Sequence, residues 1–447
     1  MSTNRQAAAA SHWRAPILFA ILAVLFILEG TVRNGMFSGS WNTSLAILNM
    51  GLISAITALG VNMQWGYAGL FNVGVVGFFA LGGLAPVLIS TAPVEGAWQA
   101  GGPRMLIALA TAVGTLALAS MLWRHMPRGK LRGLALTALL IAGFVLYRGL
   151  FDPAVTAIES NNPARHGNIG GLGLPILLSW LAGGIFAAAA AWAVGKVALG
   201  LRSDYLAIAT LGIGEIIIAV LKNEDWLARG VKNITAIPRP VPFEIQLQRN
   251  PEFMEFANSW GMAASTASGI WVKLCYMLLF LVVLLLLILL AELALKSPWG
   301  RMMRAIRDNE TAAEAMGKDV TARHLQVFIL GSAVIGIAGA MMITLDGLMA
   351  PVGYNPLRYT FLIWVMVIVG GSGNNWGAAL GGVLIWFLWI KAEVWGPALI
   401  AFLTAPLPAS SFKSGLLEGA AHMRFIAMGL VLLLVLRFAP RGLVPER

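Results

Sequence analysis

Apolar runs about as long as a bilayer is thick recur along this chain, and few folds accept them. A helix crosses the ~30 Å hydrocarbon core with roughly 20 mostly apolar residues. About twelve segments approach that length. They run from Ala15 to Val32, Leu45 to Met63, Tyr67 to Ile89, Met105 to Trp123, Leu134 to Leu150 and Leu174 to Val197. Tyr205 to Leu221, Trp271 to Leu295, Leu325 to Leu345, Tyr359 to Val369, Trp376 to Val394 and Phe425 to Phe438 complete the series. Only closed barrels and helices satisfy every backbone polar group in lipid, and runs of this length are helical. The chain is 58% hydrophobic and 11% charged, against roughly a quarter charged in soluble domains. The fold class is therefore an all-α polytopic membrane protein with about 10–12 transmembrane or re-entrant helices.

Charge sets the expected orientation. Arg5 and Arg14 precede the first apolar run, which lacks a small-residue cleavage site before a polar domain and reads as an uncleaved first span. Threaded from a cytoplasmic N-terminus, the inside loops hold Arg124, Arg128, Lys130 and Arg132, then Lys196 and Arg202, then a basic island, and finally Arg437, Arg441 and Arg447. This is the positive-inside pattern, with both termini inside. The long segment 223–270 is the exception, and long loops translocate largely regardless of charge. The net charge of +11 lies at span ends, so it argues for orientation and not for nucleic acid. Cys275 is the only cysteine, which excludes an internal disulfide. His12, His125, His166, His324 and His422 share no ligand spacing. No metal site follows from them.

The island, Lys296 to His324, is the most polar ordered-looking stretch between two apolar runs. Met302, Ala305, Ile306, Ala312, Ala313 and Met316 share one helical face; Arg304, Arg307, Asp308, Glu310 and Glu314 share the other. Asp308 is placed to cap a helix that runs to Met316 and stops at Gly317. The charged face carries both signs, unlike a purely basic lipid-binding surface. A soluble partner is the natural target of such a helix.

Two glycine-dense stretches, Gly66–Gly77 and Gly370–Gly382, interrupt the apolar pattern. Broken membrane helices survive only where they are buried in protein or line a polar cavity. One such element in each half suggests an internal repeat. Asn72, Gly371 and Gly373 within them are candidate translocation-path residues, and so is Glu215, a carboxylate inside an apolar run. Lys391 is expected to snorkel. Trp386, Trp389 and Trp395 suit an interfacial aromatic belt.

Arg304 to Met341, RAIRDNETAAEAMGKDVTARHLQVFILGSAVIGIAGAM, resembles the cytoplasmic loop and following helix of the branched-chain amino acid ABC permease family. It is most similar to the larger of that family's two paired permeases. GYAGLFNVGVVGFFALGG (Gly66–Gly83), SDYLAIATLGIGEII (Ser203–Ile217), the IPRP at Ile237–Pro240, GGSGNNWGAALGG (Gly370–Gly382) and RFAPRGL (Arg437–Leu443) resemble its other elements in order. The resemblance implies one transmembrane permease domain over 1–447. Within it lie N-terminal spans over 15–150 with an inserted hairpin at 105–150, a periplasmic loop at 223–270 and a cytoplasmic coupling loop at 296–324. It further implies a role in ATPase coupling for Arg307, Glu310, Ala313, Glu314 and Gly317.

Implied partners are a second homologous permease subunit, two cytoplasmic ATPase subunits, a periplasmic substrate-binding protein and the lipid membrane. The implied cargo is a branched-chain or other neutral amino acid. Asn72 and Val75 stand where Ser and His are common in the family; urea or a short amide is the alternative cargo, because related permeases carry them. No Walker A motif is present: Gly129-Lys130, Gly195-Lys196 and Gly317-Lys318 are followed by Leu, Val and Asp. The chain is expected to be no enzyme and to bind no cofactor, with ATP used by partner subunits in a bacterial inner membrane. A stand-alone ion-coupled transporter using Glu215 is the alternative.

Overall fold

The computed structural model describes residues 2–163, 167–406 and 411–446. His166 and Arg447 lie outside that set. The first helices are α1 (Ser2–Thr31), α2 (Trp41–Ala68), α3 (Val75–Ala85), α4 (Glu95–His125), α5 (Lys130–Ser160), α6 (Ile176–Ala198) and α7 (Ser203–Asn223). Three short helices follow, α8 (Asp225–Ala228), α9 (Glu244–Arg249) and α10 (Pro251–Ser259). The second half holds α11 (Ala264–Lys296), α12 (Pro298–Asp308), α13 (Glu310–Ala315), α14 (Val320–Asp346) and α15 (Leu362–Gly370). It ends with α16 (Asn375–Thr404), α17 (Ser411–Gly419) and α18 (Met423–Phe438). Among the described residues, nine helices are long and apolar enough to cross a membrane, or ten if α17 and α18, bent by 65°, form one span. Two shorter apolar helices, Val75–Ser90 and Arg358–Gly370, account for the remaining sequence segments. The chain is an all-α polytopic membrane protein.

Helices α2 and α14 form the centre. In their most apolar windows 83% and 78% of residues are buried, as expected of helices apolar all round. They run antiparallel: Gln64 Nε2 donates to Phe328 O and Ser332 Oγ, both at 3.0 Å, while Gly60 meets Gly331 and Ile335. A Cβ on Gly60 would sit 2.7 Å from Gly331 O, so the close crossing requires glycine. Helices α3 and α6 pack on α14, while α15 and α16 pack on α2. The α4–α5 hairpin packs mainly on itself, and only 11% of each helix's apolar window is buried. It touches the rest through Phe151 against Trp226, with ring centroids 5.6 Å apart, and through Glu159 Oε1, which accepts from Trp226 N at 3.2 Å. Strands β1 (Ile234–Thr235) and β2 (Leu348–Met349) pair antiparallel, with Ile234 opposite Met349.

The likeness between the two halves falls elsewhere than the glycine density suggests. After α2, Gly69 at φ +68° ends the helix, a non-helical segment follows, and α3 is short. After α14, Gly347 at φ +64° ends the helix, β2 and a 3-10 turn at Pro351–Gly353 follow, and α15 is short. The counterpart of the Gly66–Gly77 break is thus the segment after α14. The Gly370–Gly382 stretch instead joins short α15 to long α16, the reverse order.

Candidate functional site

Ser297 caps α12 by accepting from Gly300 N, and the basic island folds from there as two helices instead of one. Asn309, extended at φ −158°, separates α12 from α13 and caps α13 through Ala312 N. Asp308 ends α12, so the cap lies one residue beyond its expected place. Gly317 at φ +75° ends the unit, a conformation costly for residues with a Cβ. The buried face is Gly300, Met303, Ile306 and Ala313, whereas Ala305 and Ala312 are exposed and Met302 is only half-buried. Glu310, Glu314, Met316 and Gly317 face outward. Ala313 therefore packs against its own chain, and a docking partner would meet Glu310, Glu314 and Gly317.

Arg307 also turns inward. Its Nη1 donates to Gly66 O at 2.5 Å and to Glu446 Oε2 at 2.9 Å, and it lies beside Gly373. One guanidinium thus ties the island to the first glycine-rich turn and to the C-terminal tail, and lies beside the second turn. The tail is strapped to the second turn, with Leu443 N donating to Val369 O at 2.8 Å and Val444 N to Gly370 O at 3.0 Å. Gly371, at φ +118°, leaves no room for a Cβ against Val444 O.

Beneath this node lies a buried polar cluster. Asn62, Gln64 and Asn72 are fully buried, and Asn375 and Tyr67 nearly so. Asn62 Oδ1 accepts from Gly373 N at 2.8 Å, and its amide donates to Asn375 Oδ1. The Tyr67 hydroxyl donates to the same Asn375 oxygen. Asn375 Nδ2 donates to Glu292 Oε1 of α11 at 2.9 Å. Asn72 Nδ2 donates to Gln64 Oε1 at 2.9 Å, while Asn72 Oδ1 accepts from Gly74 N and Asn72 O accepts from Trp364 Nε1. Val73 N donates to Thr210 Oγ1 at 3.0 Å. These partners satisfy Asn72 O, Val73 N and Gly74 N of the unwound segment 69–74 inside the bundle, as lipid demands.

The structure brings Asn72, Gly371 and Gly373 to this region through the α2–α3 and α15–α16 turns. It does not bring Glu215, which lies on the exposed face of α7, while Thr210 and Gly214 of the same helix face α3. A cavity of about 660 Å³ opens beside the cluster, lined by Glu292, Lys296, Arg304, Gly373, Trp376 and Glu446 among others. Near the opposite end, complete burial pushes the Tyr354 hydroxyl well above its ordinary range, and it contacts Met349 Sδ at 3.6 Å. It is a neutral donor there.

Lys391 does not snorkel. Its Nζ meets Glu29 Oε2 at 2.7 Å, with the two side chains 4% and 1% exposed. The pair links α16 to α1. Trp386 and Trp389 are each 5% exposed, packed within the protein and not in a belt. Sequence reasoning also missed Asn62, Tyr67, Gln64, Glu292 and Asn375. Their signal was a set of amides inside apolar runs, flanking both glycine-rich turns.

Residues 43–436 match the family described as branched-chain amino acid transport system / permease component. The high-affinity branched-chain amino acid transport system permease protein LivM of Salmonella typhimurium is 31% identical over 205 residues, 45% of this chain and 47% of that protein. Its Escherichia coli namesake is 30% identical over 205 residues, with the same coverage of 45% and 47%. A Methanocaldococcus jannaschii protein, described as a probable branched-chain amino acid transport permease protein LivM, is 24% identical over 409 residues, 90% of this chain and 93% of its own. The match spans about half the length of the first two relatives. No solved structure matches.

Proposed function

From the premise that the chain belongs to the branched-chain amino acid transport permease family, we propose that it is a membrane subunit of an ATP-binding-cassette importer. It forms part of the path for a branched-chain or other neutral amino acid. A second homologous permease, two cytoplasmic ATPase subunits and a periplasmic substrate-binding protein complete the machine. It sits in the bacterial inner membrane with both termini inside. The chain binds no cofactor and is no enzyme; ATP is used by the partner subunits.

The observation that carries this reading is the Arg307 node. Glu310, Glu314 and Gly317 offer an outward surface to an ATPase, and Arg307 behind them grips Gly66 and Glu446. A displacement of α12–α13 would be felt at both glycine-rich turns and at the Asn62–Asn375–Glu292 cluster. Such a stroke would shift the bundle between two arrangements that ATP binding favours unequally. The ion-coupled alternative rests on Glu215, which lies apart from that cluster.

The test uses the complete importer in vesicles at fixed membrane potential. Leucine uptake should require ATP on the island side, and leucine should compete with valine but not with urea. Uphill uptake without ATP would sink the reading. Competition by urea alone would retain the importer and change its cargo.

A further inference from the structure

A second apolar cavity, of about 570 Å³, lies in a groove between α1, α2, α11 and α16. Its walls include Phe19, Leu22, Phe26, Leu48, Leu284, Leu285 and Ile288. Ile270 and Ile288 mark its ends along α11, which separates them by roughly 27 Å at 1.5 Å per residue. The groove therefore runs nearly the full ~30 Å of a bilayer core. It meets the 660 Å³ polar cavity at Phe19 and Trp376, which line both and whose ring centroids lie 6.2 Å apart, edge to face.

The polar cavity carries charge of both signs, but the two signs are not equally available. Glu446 is held by Arg307, while Glu292 accepts only from the neutral Asn375 amide and keeps its charge. Lys296 and Arg304 also line the cavity and have no ion-pair or hydrogen-bond partner among the described residues. With Arg307 offsetting Glu446, two unpaired cations face one carboxylate, so the mouth is net cationic, and a membrane-length oily slot continues from it.

We propose that this composite groove binds an anionic glycerophospholipid. One acyl chain lies along α1 and α11, and the phosphate rests between Lys296 and Arg304. Lipid tails are as apolar as leucine, so the slot itself gives little preference over bulk bilayer. Selectivity comes from the headgroup, since basic pockets between helices on the cytoplasmic side hold anionic heads. Two cations opposed by the one Glu292 carboxylate enrich an anionic lipid about fivefold over a neutral one, at a net of about 1 kcal/mol. Trp376, exposed in the first turn of α16, is the kind of residue that meets lipid headgroups at a span end.

The test takes the full chain, delipidated in detergent and titrated with phosphatidylglycerol or phosphatidylcholine, with retained lipid read by native mass spectrometry. The wild type should prefer phosphatidylglycerol by about fivefold. Lys296→Gln with Arg304→Gln should bring the preference near unity at unchanged melting temperature. Leu285→Trp keeps both cations but fills the slot, and should lose the retained lipid. Equal retention of the two lipids, an undiminished preference in the double variant, or full retention by Leu285→Trp would each overturn the proposal. The site does not depend on transport: anionic-lipid binding by a chain that moves no amino acid would leave it standing and refute only the functional reading.

Discussion

Arg307→Ala separates a residue that docks the ATPase from one that relays its motion. The guanidinium reaches across the fold at 2.5 Å to Gly66 O and 2.9 Å to Glu446 Oε2, besides a 3.4 Å contact to its exposed neighbour Asp308 that holds nothing across the fold. A hydrogen bond to a charged donor contributes about 1.5–3 kcal/mol when buried. An exposed ion pair contributes about 0–1 kcal/mol. The Arg307 and Glu446 side chains are 24% and 33% exposed, so the pair belongs near the lower figure. Together the contacts hold the island to the turns by about 2 kcal/mol, roughly thirtyfold in any equilibrium that breaks them. Glu310, Glu314 and Gly317 are untouched by the change. In vesicles holding the full importer, Arg307→Ala should keep ATPase co-purification and ATP hydrolysis while uptake per ATP falls about tenfold or more. Glu314→Arg should show the opposite pattern, with the ATPase lost. Normal uptake per ATP in Arg307→Ala, or loss of the ATPase from it, would refute the relay.

Three further outcomes follow from the same geometry. Gly317→Arg meets open space but a left-handed φ of +75°, so it should cost only about 1 kcal/mol of stability and reduce ATPase co-purification, measured by thermal melting and pull-down. Lys391→Met strands the buried Glu29 carboxylate and should destabilise the chain by about 3–5 kcal/mol; combining it with Glu29→Gln should restore most of the melting temperature in detergent, and failure to restore would show that the pair acts otherwise. A cysteine at exposed Asn309, in a Cys275→Ala background, should react with an impermeant thiol reagent only from the cytoplasm; labelling of intact cells would reverse the orientation.

The spans were legible because membrane length and apolarity are local properties, and every sequence segment corresponds to a helix, a bent pair or a short broken span. The stop at Gly317 was legible for the same reason. Asn309 and Asp308 are neighbours of equal capping ability, so composition alone did not separate one helix from two. The Glu29–Lys391 pair lies 362 residues apart in the chain, and no periodicity reports such a contact. Glu215 drew attention as a charge in an apolar run, yet periodicity cannot say which face of α7 meets the bundle. The amides Asn62, Gln64, Asn72 and Asn375 were visible individually. Only the antiparallel α2–α14 crossing and the inward α15–α16 turn assemble them.

The arrangement of that cluster bears on what a stroke can do. Asn62 and Asn375 bond each other, and Asn62 also holds the backbone of Gly373. In the dry interior, breaking one such bond leaves a donor or acceptor unsatisfied at about 1–3 kcal/mol. A movement that pulled the two turns apart would break several bonds at once and meet a barrier larger than the Arg307 node can transmit. A movement that carried Gly66, Gly373 and the tail together would break none of them. The physical expectation is therefore a rigid shift of the island end, together with the tail and the end of α15 to which it is strapped, against α3, with the unwound segment 69–74 absorbing the change. That segment is suited to the role, because its held groups, Val73 N and Gly74 N, bond to side chains that can reorient. Thr210 is one of them, and it stands on α7. The exposed face of that helix carries Glu215, so the same shift would reach the surface where a carboxylate in lipid most needs a protein neighbour.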